Sequence, residues 1–444
     1  MSENESQKRP VRTLTVKNFS VIKEAKLEFG KITVLIGPQA SGKSLLCKLA
    51  YFFQRVVIEI AEDCIRENLA FDGFCVEIAR RFSSFEWFPF LGAEPASKFT
   101  YIDGSYSVVL DRSAPLVSSG SIYTHKYVLP SFSDEIKNAY EMTSLNLRRE
   151  IESSGDLDRS RYAKEVRERL ESLQAPEAAI YSYIPSTRAF FTSPQKALIG
   201  VSQRLDPFTI RFSQDFSLDF EKRVPQVGLS GELTSWIDSE FRVILQGEIK
   251  IFENGEIFES MDGRNVPLAL LSSGTQELLP LATCLREFTA LSVAVAQTLD
   301  QKRALHRRLF FIEEPEANIF PSTQNDLVRI FARLANEPVL DASWVITTHS
   351  PYILTAFNSL IEAWRVGNKP GKHDQVAALI PEQYWIDEND FAAYTIRDGV
   401  LVPIFEKETA GKEGSGLIDG DYLDSVSDQL GGEFEKLLDI EYAE

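Results

Sequence analysis

Cysteine is scarce in this chain: 444 residues hold four, Cys47, Cys64, Cys75 and Cys284, and no two have metal-ligand spacing. No zinc centre is implied, and the four read as small core or surface thiols in a reducing cytoplasm. An unbroken apolar run is also lacking. The polar opening 1–10 leads into no apolar stretch, and the longest apolar helical segment, 278–299, is interrupted by Arg286 and Glu287. Neither a signal peptide nor a membrane span is expected. Positive charge is in deficit, with 47 Lys and Arg against 65 Asp and Glu for a net charge of -18. Non-specific nucleic-acid binding draws its affinity from cations that displace counterions on phosphate, so DNA is a disfavoured partner. The densest basic group, Lys302, Arg303, His306, Arg307 and Arg308, directly precedes an apolar strand and reads as a solvated helix end. From Phe405 onward, twelve Asp and Glu face only Lys407, Lys412 and Lys436, which suits either a basic partner or solubility.

What the chain does have is a phosphate-binding pattern. The apolar run Ile32 to Ile36 enters Gly37, Pro38, Gln39, Ala40, Ser41, Gly42, Lys43 and Ser44, and an apolar helical stretch from Leu45 leaves them. This is strand, glycine-bounded loop and helix in the order that aims backbone N–H groups and a helix dipole at a β-phosphate. Lys43 would reach the β and γ oxygens of a nucleotide, and the Ser44 hydroxyl would ligate Mg2+; the loop alone leaves kinases, GTPases and motor ATPases open.

Three further elements follow in order. Leu271, Ser272, Ser273, Gly274, Thr275, Gln276 and Glu277 open a long helical pattern. They read either as an anion-facing helix start or as an N-cap with Glu277 as capping-box acceptor. The run Leu309 to Ile312 is a strand that delivers Glu313 and Glu314 at its C-terminal end, where ligands sit in a parallel α/β sheet. Glu313 would orient the Mg2+ hydration shell, and Glu314 would position or deprotonate the attacking water. A second strand, 343–348, ends in His349, whose neutral imidazole could hydrogen-bond a γ-phosphate.

This order resembles the ABC-type ATPase heads of the SMC, RecF and OLD-like proteins. LTVKNFSVIKEAKLEF is similar to their first hairpin, LSSGTQE to their signature, FFIEEPEANIFP to their Walker B segment and VITTHSPYIL to their His switch. The resemblance implies a head-to-head dimer that encloses ATP between the phosphate loop of one copy and the signature of the other. Ser272, Ser273, Gly274 and Glu277 then belong to the nucleotide site, Ser272 and Gly274 acting in trans. Arg188 resembles an arginine often found after Ile-Pro in these ATPases, with a structural salt bridge and a nucleotide contact both open.

Departures from the pattern narrow it. Sustained helical character outside the head spans only residues 133–173, enough for a pair of helices about 20 to 30 Å long and not for an SMC arm. No Gln occurs from Arg55 to Leu173, so the glutamine that usually links γ-phosphate and metal is unassigned, with Gln54 and Gln174 the nearest. Asp419, Gly420 and Asp421 lack the preceding apolar strand of a metal-dependent nuclease. Leu423, Val426, Leu430, Phe434 and Leu437 trace one helical face, open to packing on the same domain or to a partner.

The expected fold is therefore α/β: a P-loop ABC-type head with a mixed, antiparallel first lobe, a parallel core sheet flanked by helices, and a short helical insertion. The expected segments are 1–132, 133–176, 177–404 and an acidic 405–444. The resemblance extends to stand-alone ATPase subunits of anti-phage systems such as PARIS and Septu. It implies slow ATP hydrolysis by a dimer that holds and releases a separate toxic effector, a nuclease. The alternative is a RecF- or SMC-like DNA repair ATPase.

Overall fold

The computed structural model describes residues 12–83, 96–117, 123–127, 129–153, 159–174, 179–189, 208–212, 231–252, 255–298, 307–405 and 417–418. The opening 1–10, the basic Lys302, Arg303 and His306, the Asp419 to Asp421 segment and the apolar face from Leu423 to Leu437 lie outside the described residues.

Strands β1 (Arg12–Phe19) and β2 (Ile22–Phe29) pair antiparallel, with Arg12 opposite Phe29. One face of this hairpin is buried, as its partial alternation of apolar and polar residues requires. β3 (Ile32–Ile36) is buried at every position, the signature of a strand covered on both sides. β4 (Ser97–Asp103), β5 (Tyr106–Val117), β6 (Tyr123–Tyr127) and β7 (Ser131–Phe132) extend the antiparallel lobe outward from β1. β8 (Ala179–Ile184) is the far parallel edge. β9 (Gly247–Phe252), β10 (Gly255–Ser260) and β11 (Asn265–Val266) make a separate small sheet. β12 (Arg307–Glu313) and β13 (Ala342–Thr348) lie parallel between β8 and β3, and β14 (Phe391–Arg397) flanks β3 on its other side. β15 (Val400–Pro403) joins β14 to β2. The twelve-stranded sheet thus runs β6-β5-β4-β1-β2-β15-β14-β3-β13-β12-β8, with β7 on β5. Its antiparallel half and parallel half meet as the α/β reading expects.

Alternation along the parallel strands splits the interior into two layers. Leu309, Phe311 and Val345 face the layer that holds α1 (Lys43–Tyr51), α2 (Val57–Arg66) and α3 (Phe71–Ser83). Phe310, Ile312, Trp344 and Ile346 face the opposite layer. Phe310 stacks on Trp344 at 4.7 Å and meets Phe288 edge-on at 4.9 Å. Side chains of this size each contribute about 1.5–3 kcal/mol when fully buried.

The 133–173 region forms α4 (Asp134–Ser153) and α5 (Arg159–Glu171). Tyr162, Ala163, Val166 and Leu170 turn α5 inward, and Arg167 pairs with the buried Glu62 of α2. The insertion therefore lies down on the first lobe. On the other layer, α6 (Glu232–Leu245) packs beside α7 (Ser273–Thr298), followed by α8 (Pro321–Asn336) and α9 (Pro351–Gly367). Residues 273–297 of α7 are long and apolar enough to cross a membrane, but Leu278, Leu281 and Leu285 are core residues here and Arg286 pairs with Asp238 at 2.7 Å. Cys47, Cys64 and Cys75 are buried, Cys284 is half-buried, and none of the four is in a disulfide.

Candidate active site

Register brings the functional segments to one edge of the sheet. Ile36 pairs with Thr348 and Glu313 with Thr347, so β3, β12 and β13 end side by side at their C-terminal edge. That edge is where ligands bind in open α/β sheets.

After Ile36 the chain turns through Gly37 to Ser44. Ala40 and Gly42 take left-handed φ values of 58° and 106°. A Cβ on Gly42 would lie 3.0 Å from Val21 Cγ2 and 3.1 Å from Ile22 Cγ1, a tight fit, and the positive φ itself favours glycine. Pro38, Gln39 and Ala40 are exposed, while Ser41 and Ser44 are half-buried. Lys43 is only 4% exposed, and its Nζ donates to the Gly37 and Pro38 carbonyls at 2.8 and 2.7 Å. Burial pushes this ammonium down to about 8, against the pull of Glu314 and Glu316.

Adjacent carboxylates at the end of β12 have opposite surroundings. Glu313 is 3% exposed and accepts from the Tyr183 hydroxyl at 2.7 Å and the Ser186 N–H at 3.1 Å. Glu314 turns outward through a left-handed φ of 44°, a conformation that is strained for glutamate. Its carboxylate lies 3.2 Å from His349 Nε2, and His349 Nδ1 lies 3.5 Å from Lys43 Nζ. An ammonium only donates and a carboxylate only accepts, so the imidazole bridges them by accepting at Nδ1 and donating at Nε2. Glu316 holds this histidine from behind, its Oε1 accepting the His349 backbone N–H at 2.6 Å. Burial raises the Glu316 carboxyl above its ordinary range. In sequence Glu316 looks like part of a solvated loop past a proline, and nothing local marks its role.

The Leu271 to Glu277 segment is at the surface in its first half. Ser272 and Ser273 are exposed, and Ser272 Oγ caps α7 by accepting from the Thr275 N–H at 3.3 Å. Gly274 packs backbone to backbone, since a Cβ there would meet the Asn318 carbonyl at 2.6 Å. Two sequence expectations fail here. Thr275, not Glu277, occupies the third helical position, so Glu277 cannot close a capping box. Glu277 is also turned away from any surface nucleotide: it is 7% exposed and ion-paired with Arg188 at 3.5 Å.

Arg188 is wholly buried, which decides between the readings left open for it. Its guanidinium donates to the carbonyls of Glu277, Glu313 and Glu314 at 3.0, 2.7 and 2.8 Å. Gln54 and Gln174 are interior residues as well, 1% and 4% exposed, with Gln174 bonded to the Gln54 carbonyl and Tyr181. Neither occupies the loop edge that a γ-phosphate glutamine needs.

No group of three or more His, Cys, Asp or Glu arranged to hold a metal occurs among the described residues. Ser44, next to the loop lysine, can supply one direct oxygen ligand, and Glu313, already held by two donors, suits a role through metal-bound water. That donor set fits an Mg2+ that arrives with its nucleotide and keeps several waters.

A family profile described as "AAA domain, putative AbiEii toxin, Type IV TA system" matches residues 32–355. No curated protein matches the chain. Among solved structures, the SMC head domain from Thermotoga maritima shares 14% identity at a TM-score of 0.33, covering 89% of this chain and 98% of its own. The Smc head domain from Pyrococcus furiosus, with an extended coiled coil and bound to the C-terminal domain of ScpA, shares 12% identity at a TM-score of 0.33, covering 89% and 95%. The recombination mediator protein RecF, in its RecF-ATPrS structure, shares 11% identity at a TM-score of 0.34, covering 89% and 98%.

Proposed function

The chain belongs to this AAA-domain family, and from that premise we propose that it is an ATPase of the ABC type that binds ATP with Mg2+, closes into a head-to-head pair and hydrolyses the nucleotide slowly. The observation that carries the reading is the convergence of Lys43, His349 and Glu314, drawn from three separate segments onto one sheet edge. Each has a task. The Gly37 to Ser44 backbone and Lys43 receive the phosphates, His349 contacts the γ-phosphate, and Glu314 positions and deprotonates water. The metal, when bound, neutralises developing charge on the β and γ oxygens. Ser272 and Ser273, exposed at the start of α7, offer a hydroxyl and helix N–H groups to a second copy's nucleotide.

A wider role in defence is supported by the family's description, which names a "putative AbiEii toxin" of a toxin–antitoxin system. We place the ATPase as a sensor and scaffold that holds a separate toxic effector, a nuclease, and releases it when infection changes its nucleotide state.

Sedimentation velocity tests the pairing. Wild type should shift to a dimer with ATP and Mg2+, whereas Ser272→Arg should bind ATP and stay monomeric. A wild type indifferent to ATP, or a Ser272→Arg chain that pairs normally, overturns the trans-site reading.

A further inference from the structure

Arg188 touches both halves of the proposed composite site from inside a single chain. It sits on the turn after β8, yet its donors end on two other segments: the Glu313 and Glu314 carbonyls at the end of β12, and the Glu277 carbonyl in the second turn of α7. The fourth bond, to Pro185 at 3.3 Å, anchors it to its own turn. A guanidinium with no exposure is expensive to bury; this one is ion-paired with Glu277 at 3.5 Å and also feels the charges of Glu313, Glu314 and Glu316. Backbone carbonyls supply the rest of its satisfaction, so the positions of those carbonyls and of the cation are mutually dependent.

Two details give this staple a direction. Glu314 is held in its strained left-handed conformation from both sides, its N–H by the Thr347 carbonyl at 2.8 Å and its carbonyl by Arg188. On α7, the clamped Glu277 lies five residues beyond Ser272, and Gly274 between them rests on Asn318, four residues past Glu314. A displacement of α7 imposed at Ser272 therefore reaches the Glu314 backbone through a rigid cation and a close backbone contact.

We infer that Arg188 is a positioning residue that couples engagement of the Ser272 helix tip by a second copy to the alignment of Glu314 in its own chain. This rests on the paired reading above. Lysine at this position keeps the charge but lacks the planar fork that spans several carbonyls at once.

The test is phosphate release per chain as a function of protein concentration, with dimer formation measured in parallel by sedimentation. Wild type should rise at least tenfold per chain as it pairs. Arg188→Lys should pair with ATP at the same concentrations, yet show less than a twofold rise. A purely structural role would instead shift the pairing concentration or the melting temperature. A rise like that of wild type in Arg188→Lys overturns the inference. A wild type whose rate per chain is flat overturns the paired reading, and this inference with it.

Should Arg188→Lys fail to fold, hydrogen–deuterium exchange decides. A non-hydrolysable ATP analogue should protect 185–188 and 313–316 in wild type. In Ser272→Arg, which binds nucleotide without pairing, it should protect only the phosphate loop. Equal protection of 185–188 in both overturns the coupling.

Discussion

His349 Nε2 lies 3.2 Å from Glu314 Oε1, and the pair is completed at the other ring nitrogen by Lys43. Lys43 and Glu314 are thus joined by one imidazole, carried by a residue 306 positions beyond the lysine. In the proposed mechanism this geometry links water activation to phosphate contact, because a phosphate that draws Lys43 away from its loop carbonyls also removes the donor at Nδ1.

Glu314→Gln should lower phosphate release by about 100-fold or more while leaving ATP binding intact, as expected for loss of a positioned general base. His349→Ala should cost less, about tenfold, since Glu314 remains. Single-turnover release from bound radiolabelled ATP measures both, and equal rates for Glu314→Gln and wild type would remove Glu314 from the chemistry.

Lys43→Ala should abolish nucleotide binding, read by anisotropy of a fluorescent ATP. The wild type carries a related pH dependence. In the free chain Lys43 loses its proton as pH rises through about 8, and only the ammonium attracts phosphate. Affinity should therefore fall between pH 7 and pH 9, and a flat profile would place the binding cation elsewhere.

Glu171, 8% exposed at the end of α5, has its carboxyl pushed up to about 7 by burial, against the opposing pull of Arg55 and Arg167. Its folded value lies above the ordinary 4.5, so between these pH values the folded chain binds more protons than the unfolded one. Its contribution to stability is then complete below the ordinary value and is lost as pH rises through about 7. Glu171→Gln should match wild type in mildly acidic denaturant titrations and exceed it at pH 8 by on the order of 1 to 3 kcal/mol. A constant difference across that range would place the effect in packing.

Much of this protein was readable without coordinates, and for a local reason. The phosphate loop, the β12 carboxylates and the β13 histidine are each a short strand-to-loop unit whose residue types state their own conformation, as the φ of 106° at Gly42 illustrates. The continuous burial of β3 likewise follows from its composition. The α/β class and the order of its motifs came from these units.

Only the tertiary structure decided which side chains those units present to one another. Helical phase against distant neighbours turned Ser272 outward and Glu277 inward onto Arg188. Packing placed Gln54 and Gln174 in the interior, where a search for a missing glutamine along the chain could not follow. Arg188 could be noticed in sequence but not assigned, because three of its four hydrogen bonds end on backbone carbonyls 89 to 126 residues away, and carbonyls carry no residue identity. Local backbone preference is written in adjacent residues, whereas the direction of a buried side chain depends on whatever the fold brings beside it.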